Sequence, residues 1–400
     1  MTMTPPAIPA LPIPADAKLA WWAQSLGDGA PGIALKHIAR ARAGDAGWKP
    51  VHHLASAMTH APVNAHPDTA SLFQGAPAVA YALHTADHPA YRAALTTLDK
   101  AIATMIRHRL DAAHQRIDDG QRPQAREYDL ISGLTGLGAY LLHRGRDGDL
   151  LRDVLAYLVR LTSPVPVDGR GLPGWWATGS PDRRVSSRWN AGHAGFGMAH
   201  GIAGPLALLA ITMRQGIVVA RQADALHTVV AWLDQWRTSQ GKTAWWPEVI
   251  DHDEARAGSV THPGPHRPSW CSGTPGIARA QHLAALAVGD QQRARGAARA
   301  LAGCLTDERQ LAHLTDAGLC HGWAGLLLTA RRTAADTDTD ELAAAVSAAE
   351  TRMHSHLHDQ GQPAGEGLLD GAAGIALANA AMDATAVPAL PGWERCLLIG

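Results

Sequence analysis

Apolar residues recur at three- and four-residue intervals over residues 90–107, 223–236, 291–304 and 340–356, a pattern that predicts amphipathic helices. Between these lie segments that are apolar nearly all round, as expected of buried helices. Each buried segment opens on the same signature: a small or polar residue, Gly, two residues, a second Gly, then an apolar run. It is read at Gln74-Gly75, Ser132-Gly133, His200-Gly201, Ser272-Gly273, His321-Gly322 and Asp370-Gly371, with Ala78 in place of the second Gly of the first copy. Successive copies stand roughly 49 to 72 residues apart, room for two helices and their loops.

Alternation of buried and amphipathic helices predicts an all-α fold in which an inner ring is surrounded by an outer ring. Glycines at the inner-helix starts let backbones approach closely and place the N-terminal N–H groups at one end of the ring. The polar residues near each glycine gather at that end. By this reasoning Asp129, His200, Cys271, Cys320 and His321 converge from different repeats on one site. A plain solenoid, whose glycine pairs serve packing alone, is the competing reading. It gives no reason for the position ahead of the turn to become Cys or His.

Three stretches depart from the repeat. Residues 1–16 are Pro-rich and read as a flexible leader to a helical domain over 17–400, with neither a positive start nor an apolar run that would make a signal peptide. Residues 145–192 carry Pro164, Pro166, Pro173 and Pro181 and predict a small irregular or β-containing insertion. Residues 245–267, with Trp245-Trp246-Pro247 and His262-Pro263-Gly264, read as a loop leading into the Cys271 segment.

At 46% hydrophobic residues the 400-residue chain can bury a large core, and a net charge of −1 is not the footprint of a nucleic-acid binder. No apolar run approaches the roughly 18 residues of a membrane span, so an integral membrane protein is not expected. Four Cys without disulfide-style spacing suit a reducing cytoplasm.

The Cys residues separate into two kinds. Cys304 and Cys396 sit in ordinary apolar surroundings and read as packing residues. Cys271 and Cys320-His321 each stand directly ahead of a Gly turn. Neighbouring side chains on a regular helix point about 100° apart, so adjacent Cys and His reach one ion only from such a turn. Cys271, Cys320 and His321 offer two thiolates and one imidazole, which is three zinc ligands with a coordination position left open. That is the mark of a catalytic rather than a structural zinc.

These segments carry a resemblance. Ala199-His200-Gly201-Ile202-Ala203-Gly204, Trp270-Cys271-Ser272-Gly273-Thr274-Pro275-Gly276, Cys320-His321-Gly322-Trp323-Ala324-Gly325 and the closing Gly371-Ala372-Ala373-Gly374 resemble, in order, the motifs of the lanthionine synthetase C-like family, the cyclases of lantibiotic biosynthesis. The similarity spans roughly residues 70–400. It implies an α/α toroid holding Zn2+ through Cys271, Cys320 and His321, with His200 and Asp129 in proton transfer and Arg267 at the site. It implies addition of a peptide Cys thiol to dehydroalanine or dehydrobutyrine, which makes lanthionine or methyllanthionine thioether rings. The substrate would be a dehydrated precursor peptide with its leader, and the partners a dehydratase and an exporter. The enzyme would be cytoplasmic and peripheral to the membrane in a biosynthetic complex. One position departs: Ser272 stands where well-studied cyclases carry Tyr.

Other readings stand beside these. His193 rivals His200, Asp129 is readable as the N-cap of the following helix, and Arg267 as an ion-pair partner within its loop. The same zinc toroid could add glutathione to dehydroamino acids, as in the eukaryotic relatives, or serve as a non-catalytic peptide-binding scaffold.

Overall fold

The computed structural model describes residues 18–400 except 146–147, 183, 185, 241–242, 338, 361–364 and 383–389. The flexible segment expected over 1–16 lies outside the described residues. Seven helices form an inner ring: Ala30–Arg42, Ala76–Ala86, Leu134–Arg144, Ala203–Arg214, Thr274–Val288, Trp323–Asp336 and Ala372–Met382. Each packs on the next, and the seventh packs on the first, so the ring closes. Lys49–Thr59, Arg92–Asp118, Gly148–Arg160, Gln222–Gln235, Gln291–Thr306 and Asp340–Gln360 follow the first six in turn and pack outside them. The fold is an α/α toroid.

Burial follows the pattern of the sequence. Every residue of Leu134–Arg144 is buried, and so is every residue from Thr274 to Ala285. The outer helix Gly148–Arg160 instead buries one stripe, Leu150, Leu151, Val154, Leu155, Tyr157 and Leu158. The ring also contains a copy of the signature that the sequence reading passed over, Asp28-Gly29-Ala30-Pro31-Gly32, which opens the first inner helix. That helix carries Lys36, Arg40 and Arg42, so it lacks the all-round apolar character by which its fellows are recognised.

The second glycine of the signature is required by a close approach of the chain to itself. A Cβ at Gly276 would lie 2.0 Å from the Trp270 carbonyl oxygen, and one at Gly325 would lie 1.9 Å from that of Leu319. Gly276→Ala is expected to destabilise the protein by about 3 kcal/mol or more, since backbone and not a yielding side chain stands in the way. Gly296, on an outer helix with open space around it, should respond oppositely: Ala there removes a flexible residue from a helix interior and gains about 0.5–1 kcal/mol. Urea unfolding of the two variants checks the contrast.

Short strands lie outside the rings. Of the stretch expected to be an irregular or β-containing insertion over 145–192, Gly148–Arg160 is instead a regular outer helix, and the β structure begins with the hairpin of Val165–Val167 and Arg170–Leu172. Thr238–Gln240 pairs with Thr243–Trp245. His193–Gly195 pairs antiparallel with Val249–Asp251. The stretch expected to be loop over 245–267 therefore contributes this strand and the short helix His252–Ala257. The helix is fixed by a capping box in which Asp251 and Glu254 satisfy each other's backbone N–H groups.

The interior of the ring is filled by residues 390–400. Leu397, Leu398 and Ile399 are each 1% exposed. The Tyr81 hydroxyl of the second inner helix donates to the Trp393 carbonyl at 2.8 Å, and Trp270, just ahead of the fifth, donates its indole N–H to Leu397 at 2.9 Å. Arg279 on the fifth helix donates to the Ile399 carbonyl at 2.7 Å. These tethers come from well-separated helices of the ring.

Two buried imidazoles make this interior acid-sensitive. His143 stacks on Tyr81 with centroids 4.0 Å apart and bonds through Nε2 to Thr85 Oγ1 at 2.9 Å. The Thr85 proton is already given to the Tyr81 carbonyl, so Nε2 is the donor. Burial, with nearby His84, Arg395 and Arg144, pulls its pKa down to about 2, and burial with Arg279 pulls His282 down to about 4. Unfolded His titrates near 6.5, so below that pH the unfolded chain binds protons the native state refuses. Stability therefore falls as pH drops from about 6.5, by up to about 1.4 kcal/mol per pH unit for each histidine, and below about 4 only His143 still contributes. Melting temperatures taken from pH 7 to 4 should fall steeply, and less so in His143→Gln.

Candidate metal centre and its cleft

The loops ahead of the inner helices are laced together by backbone hydrogen bonds at equivalent positions. Leu130 N–H donates to the Ala199 carbonyl at 3.1 Å, Ala199 to Cys271 at 2.9 Å, and Cys271 to Cys320 at 3.1 Å. The lacing continues from Cys320 to Leu369 at 2.9 Å, from Leu369 to Gly27 at 2.9 Å, and from Leu26 to Phe73 at 3.0 Å. Cys271 and Cys320 thus hold the same place in neighbouring repeats, and the bond between their backbones sets their side chains beside each other. The Gly322 turn then lets His321 reach the same point.

The ligand atoms of Cys271, Cys320 and His321 all lie within 4.8 Å of one another, and they are the one such His/Cys/carboxylate group among the described residues. Hydrogen bonding from Cys320, then His321, Ser269 and Ser272, holds the Cys271 thiol well below its ordinary range against the opposing effect of burial. Cys320 is pushed up by its bond to Cys271 and by burial, and His321 is raised chiefly by Cys271. Two soft thiols and an imidazole at this separation fit a tetrahedral d¹⁰ ion with one position open.

Carboxylates surround the cluster. His321 Nε2 is 3.6 Å from Asp316 and its Nδ1 is 3.6 Å from Asp370. Arg267 Nη1 stands 4.0 Å from the same Asp316 carboxylate, so Arg267 meets the cluster through Asp316. Its reading as a loop ion pair is therefore compatible with a place beside the Cys271–Cys320–His321 cluster. Behind Cys271 lies Ser269, fully buried, whose Oγ accepts the N–H groups of Ser272 at 3.2 Å and Gly273 at 3.0 Å and sits 3.5 Å from the Cys271 sulfur. Ser272 donates its hydroxyl proton to Glu248 at 2.8 Å.

Cys271 opens onto a cleft of about 930 Å3 whose walls include Asp129, Trp189, His193, His200 and Glu248. Asp129 is 2% exposed and His200 64% exposed. Asp129 Oδ2 takes His200 Nδ1 at 2.8 Å while Oδ1 accepts the Ser132 N–H at 2.6 Å. An ionised carboxylate only accepts, so it fixes the Nδ1–H tautomer and the aim of the ring. Asp129 does tie down the turn ahead of the third inner helix, as a cap would, but its second oxygen reaches His200 from another repeat. His193 also borders the cleft; its Nδ1 bonds the Gly179 carbonyl at 3.0 Å, and burial lowers its pKa.

Glu248, Ser269, Asp316 and Asp370 escaped the sequence reading. Glu248 and Asp316 lie in stretches without the repeat. Asp370 does occupy the position of His321 in the last copy, a signal that was present and not used.

A lanthionine synthetase C-like family model matches residues 20–398, so the chain belongs to that family. The nisin biosynthesis protein NisC of Lactococcus lactis subsp. lactis is 23% identical over 314 residues, 77% of this chain and 73% of that protein. A solved structure of nisin cyclase is similar with a TM-score of 0.78 at 21% identity, covering 95% of this chain and 93% of its own. Among the described residues no helix is long and apolar enough to cross a membrane.

Proposed function

We propose that this protein is a zinc-dependent lanthipeptide cyclase, adding Cys thiols of a dehydrated precursor peptide to dehydroalanine or dehydrobutyrine. One observation carries the reading: Cys271, one corner of a three-ligand cluster with Cys320 and His321, borders the same cleft as an Asp129-oriented His200. A scaffold would need no proton-handling pair there.

Zinc at that cluster would supply acidification of the incoming thiol, whose free pKa is about 8.5, and a neutral two-thiolate centre would leave the bound sulfur electron-rich. The remaining work falls to the chain. The cleft brings the thiol sulfur to the β-carbon of the dehydro residue. As the carbon–sulfur bond forms, the π pair moves to the α-carbon and its carbonyl. Arg267 offers fixed guanidinium donors for that enolate charge. His200 delivers the proton that the α-carbon gains, and Asp129 stabilises the imidazolium form that gives it. Overall the thiol proton reappears on carbon, so no oxidant or reductant is consumed.

In this reading the protein works in the cytoplasm beside a dehydratase and an exporter that handle the same peptide. The test is mass spectrometry of a dehydrated Cys-containing peptide after incubation with metal-loaded protein and a thiol-alkylating probe. Ring formation removes the probe-reactive thiols without changing the peptide mass. If the thiols stay alkylatable, or added glutathione is taken up instead, the cyclase reading fails.

Ser272 and Arg267 separate within this mechanism. The Ser272 hydroxyl gives its proton to Glu248, and it is too short to act as a phenol would. Ser272→Ala is expected to cost less than about tenfold in rate, or about 1.4 kcal/mol. Arg267→Ala should cost about 100-fold or more with metal retained. Similar losses in both variants would show a role for Ser272 beyond this scheme.

A further inference from the structure

The backbone lacing around the mouth has one gap. Among the described residues no backbone hydrogen bond joins the loop at residues 64–74 to the loop at 121–132, although every other neighbouring pair is joined. A groove of about 1250 Å3 runs through the gap, from Asp28 and Ser132 at the centre of the mouth outward to Gln121 and Arg122. Its floor is the outer helix Arg92–Asp118, which presents His108, Arg109 and Arg116. Arg109 stands between the two loops and donates to the Ala70 carbonyl at 3.3 Å on one side and the Arg126 carbonyl at 3.1 Å on the other. The side chain from the floor thus does what loop-to-loop bonds do elsewhere, and the space above it is left open.

The charge in the groove is uneven. Arg116 is neutralised by Glu127, which accepts from its Nη2 at 2.8 Å and from its Nε at 3.1 Å. Arg109 and Arg122 bond only backbone carbonyls, Arg122 that of Ala191, and Arg126 is exposed. None of these three forms an ion pair with a carboxylate among the described residues. A carbonyl satisfies a guanidinium's hydrogen bonds without cancelling its charge, so the side formed by Arg109, Arg122 and Arg126 is positive, while Asp28 and Asp68 also line the groove. The groove shares the lining residues Gln124, Arg126 and Thr178 with the reaction cleft, so the two adjoin. It exceeds the roughly 300–1,000 Å3 typical of small-molecule pockets.

We propose that this groove binds an extended, carboxylate-bearing segment of the peptide substrate while another part of the same peptide occupies the cleft at Cys271. The proposal rests on the cyclase reading for the identity of the peptide. Guanidinium groups recognise carboxylates through paired N–H donors, and the positive wall selects Glu or Asp side chains over neutral ones. A ligand entering along the gap reaches the mouth without breaking any of the lacing that holds the metal cluster.

The experiment uses the metal-loaded full chain and three fluorescent ten-residue peptides, alternating Gly with Glu, Gln or Lys. Fluorescence anisotropy should show the Glu peptide binding at least about tenfold more tightly than the other two, with salt weakening it. Arg126→Glu, at an exposed position, should weaken the Glu peptide at least about tenfold, while Arg221→Glu, just ahead of a different outer helix and outside the groove lining, should not. A benzophenone-bearing Glu peptide should crosslink within residues 64–74 or 108–132. Equal binding of the Glu and Gln peptides, no effect of Arg126→Glu, or crosslinks confined to other regions would overturn the proposal. The probes carry neither Cys nor dehydro residues, so binding is read apart from thioether formation. In a second arm the Glu peptide should competitively slow ring closure in a dehydrated peptide. Ring closure that proceeds unslowed counts against the groove, whereas no ring closure even without the competitor counts against the cyclase reading.

Discussion

Cys320→Ala is expected to yield a folded toroid that retains almost no zinc after dialysis and forms no thioether. Removing one of three ligands leaves a two-donor site, and the hydrogen bond that does most to lower the Cys271 pKa comes from Cys320. The fold should survive because the apolar core runs round the whole ring, from Leu26 to Ile399, and owes nothing to the metal. Circular dichroism near wild type with zinc lost by elemental analysis is the expected pair of results. Full zinc retention in both Cys271→Ala and Cys320→Ala would remove the metal assignment, and loss of helicity with the zinc would make the site structural.

His200→Asn is the second large effect. The amide can still bond Asp129 but cannot exchange a proton near neutral pH. Zinc should remain at the wild-type level and cyclisation should fall by about two to four orders of magnitude. Because Asp129 is buried and also holds the Ser132 turn, Asp129→Asn should lower the rate as well and cost some stability. His200 is mostly exposed, so its replacement should leave the melting temperature nearly unchanged. A His200→Asn protein that cyclises at the wild-type rate would direct attention to His193, which borders the same cleft.

Much of this architecture was legible in the amino-acid sequence. The two periodicities, all-round apolar and one-sided apolar, distinguish inner from outer helices because burial on every face and burial on one face demand different residues. The glycine signature was legible for a related reason. Its second glycine packs within about 2 Å, measured to where a Cβ would be, of a carbonyl six residues earlier, a contact within one repeat that any sequence able to fold this way must permit. Cys320 and His321 were legible as a pair because local turn chemistry frees adjacent side chains to meet, whereas Cys271 joins them through the backbone bond between neighbouring repeats. The first repeat was overlooked because Lys36 and its neighbours give that helix a charged face.

Tertiary structure decided what depends on pairs far apart in the chain. Ser272 meets Glu248, Arg267 meets Asp316, and Asp129 meets His200 only because successive loops are hydrogen-bonded round the mouth. The strand pairing of His193–Gly195 with Val249–Asp251, which helps wall the cleft, joins two segments that carry no periodic signal. The filling of the ring by Leu397, Leu398 and Ile399 and the gap bridged by Arg109 are likewise set by ring closure. Local patterns report which face of a residue's own helix is buried. They carry no record of which distant loop will supply its partner, and that is fixed only when the seventh inner helix packs against the first.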